Sequence, residues 1–193
     1  MKKKEKTIKL GNKKFTTEYL FFDKEDKKTL RKFFEDWEYL CQRSYAIGGT
    51  RKINLPESLS EAIFCIEMNV ARRVGGSASF DCYDFQNKRR IQVKGSSSIG
   101  PTQFGPKTNQ DDTYFIYFKK LAESKNIKNL KDFPGEYHIY KLEDSQIDNV
   151  AVNKQQKLKD QKKEKRRGRF VVYNKLIKPN NVEPLIVGDI KKW

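Results

Sequence analysis

Histidine and cysteine are nearly missing from this chain of 193 residues: there is one histidine, His138, and three cysteines, Cys41, Cys65 and Cys82. A single histidine cannot supply the paired general acid and base of a ribonuclease-type site. It also argues against the metal-binding and catalytic histidines of HNH nucleases. The cysteines lie far apart with no C-x-x-C spacing, which excludes a zinc site or a disulfide framework. Cys65 falls in an apolar helical pattern and Cys82 in a strand pattern, so both read as small core residues. No apolar run approaches the roughly 18 residues that would cross a bilayer. Met1-Lys2-Lys3-Lys4 is followed by no apolar stretch, so no signal peptide is expected and the expected location is the cytoplasm. What remains for hydrolytic chemistry is carboxylates, lysines and a hard cation such as Mg²⁺.

Basic charge is what the chain has in quantity. Forty-one Lys and Arg against 25 Asp and Glu leave a formal charge of +16. Such an excess favours a polyanionic partner, nucleic acid first, through phosphate binding and counterion release. The length suits one domain, 1–193, able to bury a core of ordinary size. Two basic stretches stand out. Residues 1–14 carry seven lysines and read as a basic N-terminal arm. Residues 154–169 carry nine basic and two acidic residues and almost no apolar ones, so they read as a solvated segment contacting DNA.

Between these lie ordered elements. Leu30, Phe33, Phe34, Trp37, Leu40, Cys41 and Tyr45 recur at helical spacing over 27–46, and Gly48-Gly49 ends that helix. A second helix is predicted from Ser58 to about Val74, with Leu59, Ile63, Ile66, Val70 and Val74 as its buried stripe. Ser58 and Glu61 have capping-box spacing at its start, and Gly75-Gly76 follows its end. Thr113–Phe118 and Tyr137–Leu142 read as buried strands, and Phe170–Tyr173 as another. In the tail, Leu185, Ile186, Val187 and Ile190 call for burial.

The most informative run is Ser79–Lys94, read as a strand, a tight turn at Gln86-Asn87 and a return strand ending Gln92-Val93-Lys94. A turn centred there sets Asp81 across the ladder from Gln92. Gln92 and Lys94, two apart, then share a face of the strand. An acid, an amide and an amine on one patch of sheet suit Mg²⁺-dependent phosphodiester hydrolysis. In this reading Asp81 anchors the ion, the Gln92 amide oxygen and the Val93 carbonyl are further ligands, and Lys94 orients the attacking water and offsets developing charge. Asp84 is the alternative carboxylate, although nearer the turn it is expected to pair with Arg89.

These residues resemble the PD-(D/E)xK nuclease superfamily, and within it small type II restriction endonucleases with a Gln-x-Lys variant. The resemblance spans about residues 57–185. It includes the Gly/Ser-rich approach 75–79 to Asp81, the serines Ser96, Ser97 and Ser98 after Lys94, the segment Phe104-Gly105-Pro106-Lys107, and Arg166-Arg167-Gly168-Arg169. Phe80 stands where the name-giving proline would be, and Gln92 replaces an acidic residue. The resemblance implies an α/β fold, a restriction-endonuclease-like central mixed β-sheet flanked by helices. It also implies Mg²⁺-dependent cleavage of double-stranded DNA at a short recognition sequence, a homodimer, and a cognate DNA methyltransferase in the host. A glutamate from the preceding helix is expected to complete the site, Glu61 first and Glu67 second. Ser96, Ser97, Ser98, Gln103, Lys107, Arg166, Arg167 and Arg169 are the expected DNA contacts. A structure-specific repair or resolvase nuclease, and a basic binding protein without catalysis, are the competing readings.

Overall fold

A computed structural model describes residues 1–49, 53–75, 80–106, 109–123 and 134–193. Its centre is an eight-stranded mixed sheet. The strands are β1 (Lys2–Leu10), β2 (Lys13–Phe21), β3 (Ala71–Val74), β4 (Cys82–Asp84), β5 (Arg89–Ser96), β7 (Asp112–Tyr117), β8 (Glu136–Leu142) and β10 (Ile186–Asp189), in that spatial order. All neighbours are antiparallel except β5 and β7, which run parallel. The chain between that parallel pair contains β6 (Thr102–Phe104), which pairs with β9 (Gly168–Phe170) in a separate two-stranded ribbon. The mixed sheet flanked by helices is the architecture that the resemblance implies.

Helices α1 (Asp26–Ala46) and α2 (Glu57–Met68) cover one face of the sheet, with Phe34, Trp37, Leu59 and Ile63 packed on Ile91, Val93, Tyr114, Ile116 and Ile139. On the other face, Phe115, Tyr117, Tyr140 and Leu142 pack with Phe104, Phe170, Leu158 and Leu176. Successive strand residues point to opposite faces, so β7, buried throughout, contributes to both cores. The short helices α3 (Lys119–Glu123), α4 (Asp144–Asn149) and α5 (Leu158–Lys163) complete the covering layer. The cysteines are buried and unbridged, as their sequence contexts predict.

Several expectations need correction. Residues 1–14 are not a free arm: they form most of a hairpin at the sheet edge, with Gly11 at φ 61° in its turn and Ile8 and Tyr19 buried. A lysine-rich edge strand also discourages edge-to-edge association. The second helix stops at Met68 because Asn69 takes a left-handed conformation, φ 52°. Residues 71–74 then continue as a strand paired to β2 and β4. No capping box closes its start: Pro56 is the N-cap, and Glu61 is bonded elsewhere. Phe33 and Leu40 of α1 are exposed rather than buried. The strand predicted for 170–173 ends at Phe170, and Tyr173–Ile177 forms a π-helical turn. In the tail, Ile190 is buried but Leu185 and Val187 are exposed, since β10 is an edge strand.

Candidate active site

The 81–94 hairpin has the register that its turn chemistry predicts. Cys82 faces Ile91, Tyr83 faces Arg90 and Asp84 faces Arg89, which brings the Asp81 side chain against that of Gln92. The Asp81 N–H donates to the carbonyl of Ile91, the partner of Cys82, at 2.9 Å, so Asp81 and Cys82 both lie against that residue. Asp84 closes the turn: its carboxylate accepts from the Gln86 and Asn87 N–H groups (2.9 and 3.0 Å) and from the Asn87 amide (2.8 Å). That role removes Asp84 from the site. The expected partnership with Arg89 is also replaced, since Arg89 binds Asp112.

Asp81 Oδ2 accepts two hydrogen bonds, from the Gln92 side-chain amide and from the Val93 N–H at 2.8 Å. Both donors are uncharged. Burial pushes the Asp81 carboxyl above the usual carboxylate range, opposed by the Val93 N–H and the positive charge of Lys94. Arg73 steadies the approach to Asp81. Its N–H donates to the Asp81 carbonyl (2.8 Å), its Nε donates to the Phe80 carbonyl (3.0 Å), and its guanidinium lies over the Phe80 ring. Phe80 itself is a core residue.

Glu61 enters from α2. Helix and strand meet tightly at Gly95, where an added Cβ would lie 2.5 Å from Ser60 Oγ. Only glycine permits that approach. Arg72 of β3 donates to Glu61 Oε2 at 2.5 Å. Even so, burial and the nearby Asp81 charge push Glu61 up to about 7, against the pull of Arg72. Glu67, the second choice, accepts from Tyr137 Oη and pairs with Lys27, and it lines no part of the cleft.

Asp81, Gln92, Val93, Lys94, Glu61, Ser96, Ser97, Ser98 and Gln103 line one cleft of about 330 Å³. A second cleft of about 560 Å³ shares Glu57, Gln92, Lys94 and Gln103 with it, and continues past Lys162, Lys165 and Arg167. The two therefore form one groove, with Asp81 and Glu61 at one end and Lys162, Lys165 and Arg167 at the other. Ser96 Oγ bonds to Ser98 within its own loop, and Ser97 is buried. Arg169 donates to Gln103 at 3.2 Å across the ribbon. Arg166 turns to Glu164 and Gln156 and is not in the groove lining. Lys107 lies outside the described residues. Sequence reasoning did not single out Glu57, and it took Lys162 and Lys165 only as part of the DNA-contacting segment 154–169. His138 lines neither cleft, and its ring bonds Tyr140 and Glu136.

Among the described residues no group of three or more His, Cys, Asp or Glu gathers to hold a metal ion. Mg²⁺ needs no such cage: one or two carboxylates suffice, the rest of its shell being water and phosphate. Two desolvated carboxyl groups beside an amide fit that ion. No helix among the described residues is long and apolar enough to cross a membrane.

The sequence model of the Bsp6I restriction endonuclease family matches residues 22–179. The type II restriction enzyme Bsp6I of Bacillus sp. (strain RFL6) is 30% identical over 147 residues, covering 73% of this chain and 75% of that protein. No solved structure matches.

Proposed function

The chain belongs to the Bsp6I restriction endonuclease family, and from that premise we propose that it is a Mg²⁺-dependent, site-specific deoxyribonuclease of PD-(D/E)xK type with a Gln-x-Lys variant centre. The observation that carries the reading is the convergence of Asp81, Gln92 and Lys94 in one cleft, where among the described residues the Asp81 carboxylate is bonded only to uncharged donors. A buried carboxylate without a cation of its own is a poor structural device and a good metal anchor.

In this mechanism Asp81 and Glu61 hold the ion, with the Gln92 amide able to turn its oxygen to the same point and the Val93 carbonyl as a further donor. When bound, the ion supplies Lewis-acid polarisation of a phosphoryl oxygen and neutralises charge on the departing oxygen. Lys94 orients the attacking water and compensates the negative charge that grows on the phosphoryl group. Gln92 in place of an acid makes the centre less negative, so Glu61 carries more of the attraction for the cation. Lys165 and Arg167 in the groove bind the DNA backbone, which positions without specifying, while Lys162 is held by Asp148 at 2.5 Å. Cutting both strands of a symmetric site calls for a homodimer, and the host needs a cognate methyltransferase to protect its own DNA.

The test is digestion of unmethylated phage DNA by the purified protein with Mg²⁺ or with EDTA, beside Lys94→Ala. Discrete fragments that vanish with EDTA and with the variant are expected. A folded wild type that retains DNA in a shift assay yet never cuts it with Mg²⁺ would leave a binding protein and overturn the catalytic assignment. Fragments that vary with DNA shape rather than sequence would make it a structure-specific nuclease.

A further inference from the structure

We propose that the β6–β9 ribbon is the element that reads DNA sequence, and that Arg169, oriented by Gln103, reads a guanine edge in the major groove. This inference rests on the nuclease reading above and adds to it the source of specificity. Gln103 and Arg169 are register partners on the two strands, so their side chains share one face of the ribbon. Arg169 is exposed, and Gln103 Oε1 accepts from one of its terminal nitrogens at 3.2 Å.

The opposite face fixes the ribbon to the protein. Phe104 and Phe170 stack with ring centroids 4.8 Å apart and planes 4° from parallel, both buried in the second core. Gly168, opposite Phe104, lies so close to α5 that a Cβ there would sit 2.0 Å from Leu158 Cδ1. A two-stranded ribbon is narrow enough to enter the major groove, and this one is anchored from behind rather than free. Gln103 stands where the catalytic cleft joins the basic groove, so DNA bound there meets the ribbon.

Arg169 and Arg167 have no acidic partner among the described residues, and of the two only Arg169 is tethered, by Gln103. Arg89 and Arg90 are bound to Asp112 and Asp111, and Arg166 to Glu164. Among the described residues the side chain of Arg169 bonds only to a neutral amide. A guanidinium has five N–H donors in a planar fork. Tethering one leaves the fork oriented and its charge uncompensated. Such a fork matches guanine O6 and N7, the commonest specific contact made by arginine.

The experiment selects from a library of randomised duplexes in two arms, cleavage with Mg²⁺ and binding with EDTA, for wild type, Arg169→Ala, Arg169→Lys and Gln103→Ala. The expected result is a wild-type motif in which Arg169→Ala loses preference at a guanine position. Its activity on the original site should fall roughly 10- to 100-fold, and Gln103→Ala should relax the same position partly. Arg169→Lys keeps the charge and loses the fork, so it should behave like Arg169→Ala. A uniform loss with the motif intact, restored by lysine, would make Arg169 a phosphate contact and overturn the inference. So would an unchanged motif in every variant, or a wild type that binds with no preference. If the wild type binds a motif that Arg169→Ala relaxes but cuts nothing with Mg²⁺, the catalytic reading fails and the ribbon inference stands.

Discussion

Strand β5 meets two carboxylate clusters a few residues apart, and burial has opposite outcomes in them. Near its start, Arg90 binds Asp111 and Arg89 binds Asp112, which also pairs with Lys141 at 3.1 Å. The bond from Arg90 holds Asp111 below the usual carboxylate range. Burial alone would raise Asp112, but the bonds from Arg89 and Lys141 more than reverse it. Further along the same strand, Gln92 and the Val93 N–H meet Asp81, and burial wins: Asp81 and Glu61 are both pushed up. Both clusters are anchored on one rigid strand, so the difference lies in the supply of cations. The first is complete without any ligand and joins β5 to β7. In the second, Asp81 is bonded to uncharged donors and the Arg72 pair with Glu61 does not offset burial, which is the condition expected of a site that waits for a metal ion and a phosphate.

The largest effect should separate the clusters by activity. Asp81→Asn is expected to cut DNA at least about 10³-fold more slowly in single-turnover assays, as loss of a metal-anchoring or transition-state-stabilising group does. Its urea midpoint should stay level or rise, since a buried charge is gone. Asp112→Asn should keep its cleavage rate per folded molecule and lose on the order of 1–3 kcal/mol of stability, because Arg89 and Lys141 lose their charged acceptor. A catalytic defect in Asp112→Asn at full stability would erase the distinction.

Next is the pH dependence. Glu61 has an ordinary value of 4.5 and is pushed to about 7 in the fold. Between those values the folded chain holds a proton that the unfolded chain has released, so stability falls as pH rises through that window. Glu61→Gln should flatten the slope by roughly 1–2 kcal/mol across it, read from urea midpoints at pH 5 and pH 8. Adding Mg²⁺ to the wild type should raise the melting temperature more at pH 8 than at pH 6, since binding needs the ionised carboxyls. An equal shift at both pH values would place the ion elsewhere. The first cluster has the opposite sign: the stability from Asp111 and Asp112 is full above their ordinary value of 3.8 and is lost as pH falls toward their lower folded values.

The smallest effect belongs to the turn that sets the register for both clusters. Asp84→Ala removes three hydrogen bonds to Gln86 and Asn87. It should cost about 1 kcal/mol, visible in the urea midpoint, with cleavage nearly unchanged.

The hairpin was legible because strand period and turn position are local, and Asp81 against Gln92 follows from counting outward from Gln86-Asn87. The parts that misled reading were those in which a local pattern was overruled. Ser58 and Glu61 have the spacing of a capping box, yet Glu61 is drawn to Arg72 once β3 docks beside the helix. Lysines hid the alternation of Ile8, Phe15 and Tyr19 that makes the first residues a hairpin.

By itself the sequence determined the chemistry available, carboxylates, amide and lysine with almost no histidine, and it determined the pairing that brings Asp81, Gln92 and Lys94 together. It also determined that phosphate-binding charge is abundant. Tertiary structure brought Glu61, which the motif already favoured over Glu67, into the cleft, where helix and strand approach closely at Gly95. It alone made a ribbon of Gln103 and Arg169, 66 residues apart. Turns and strand alternation act over a few residues and leave a trace in sequence. The desolvation that raises Asp81 and Glu61, and the contact that aims Arg169, depend on packing between distant segments, which no local pattern records.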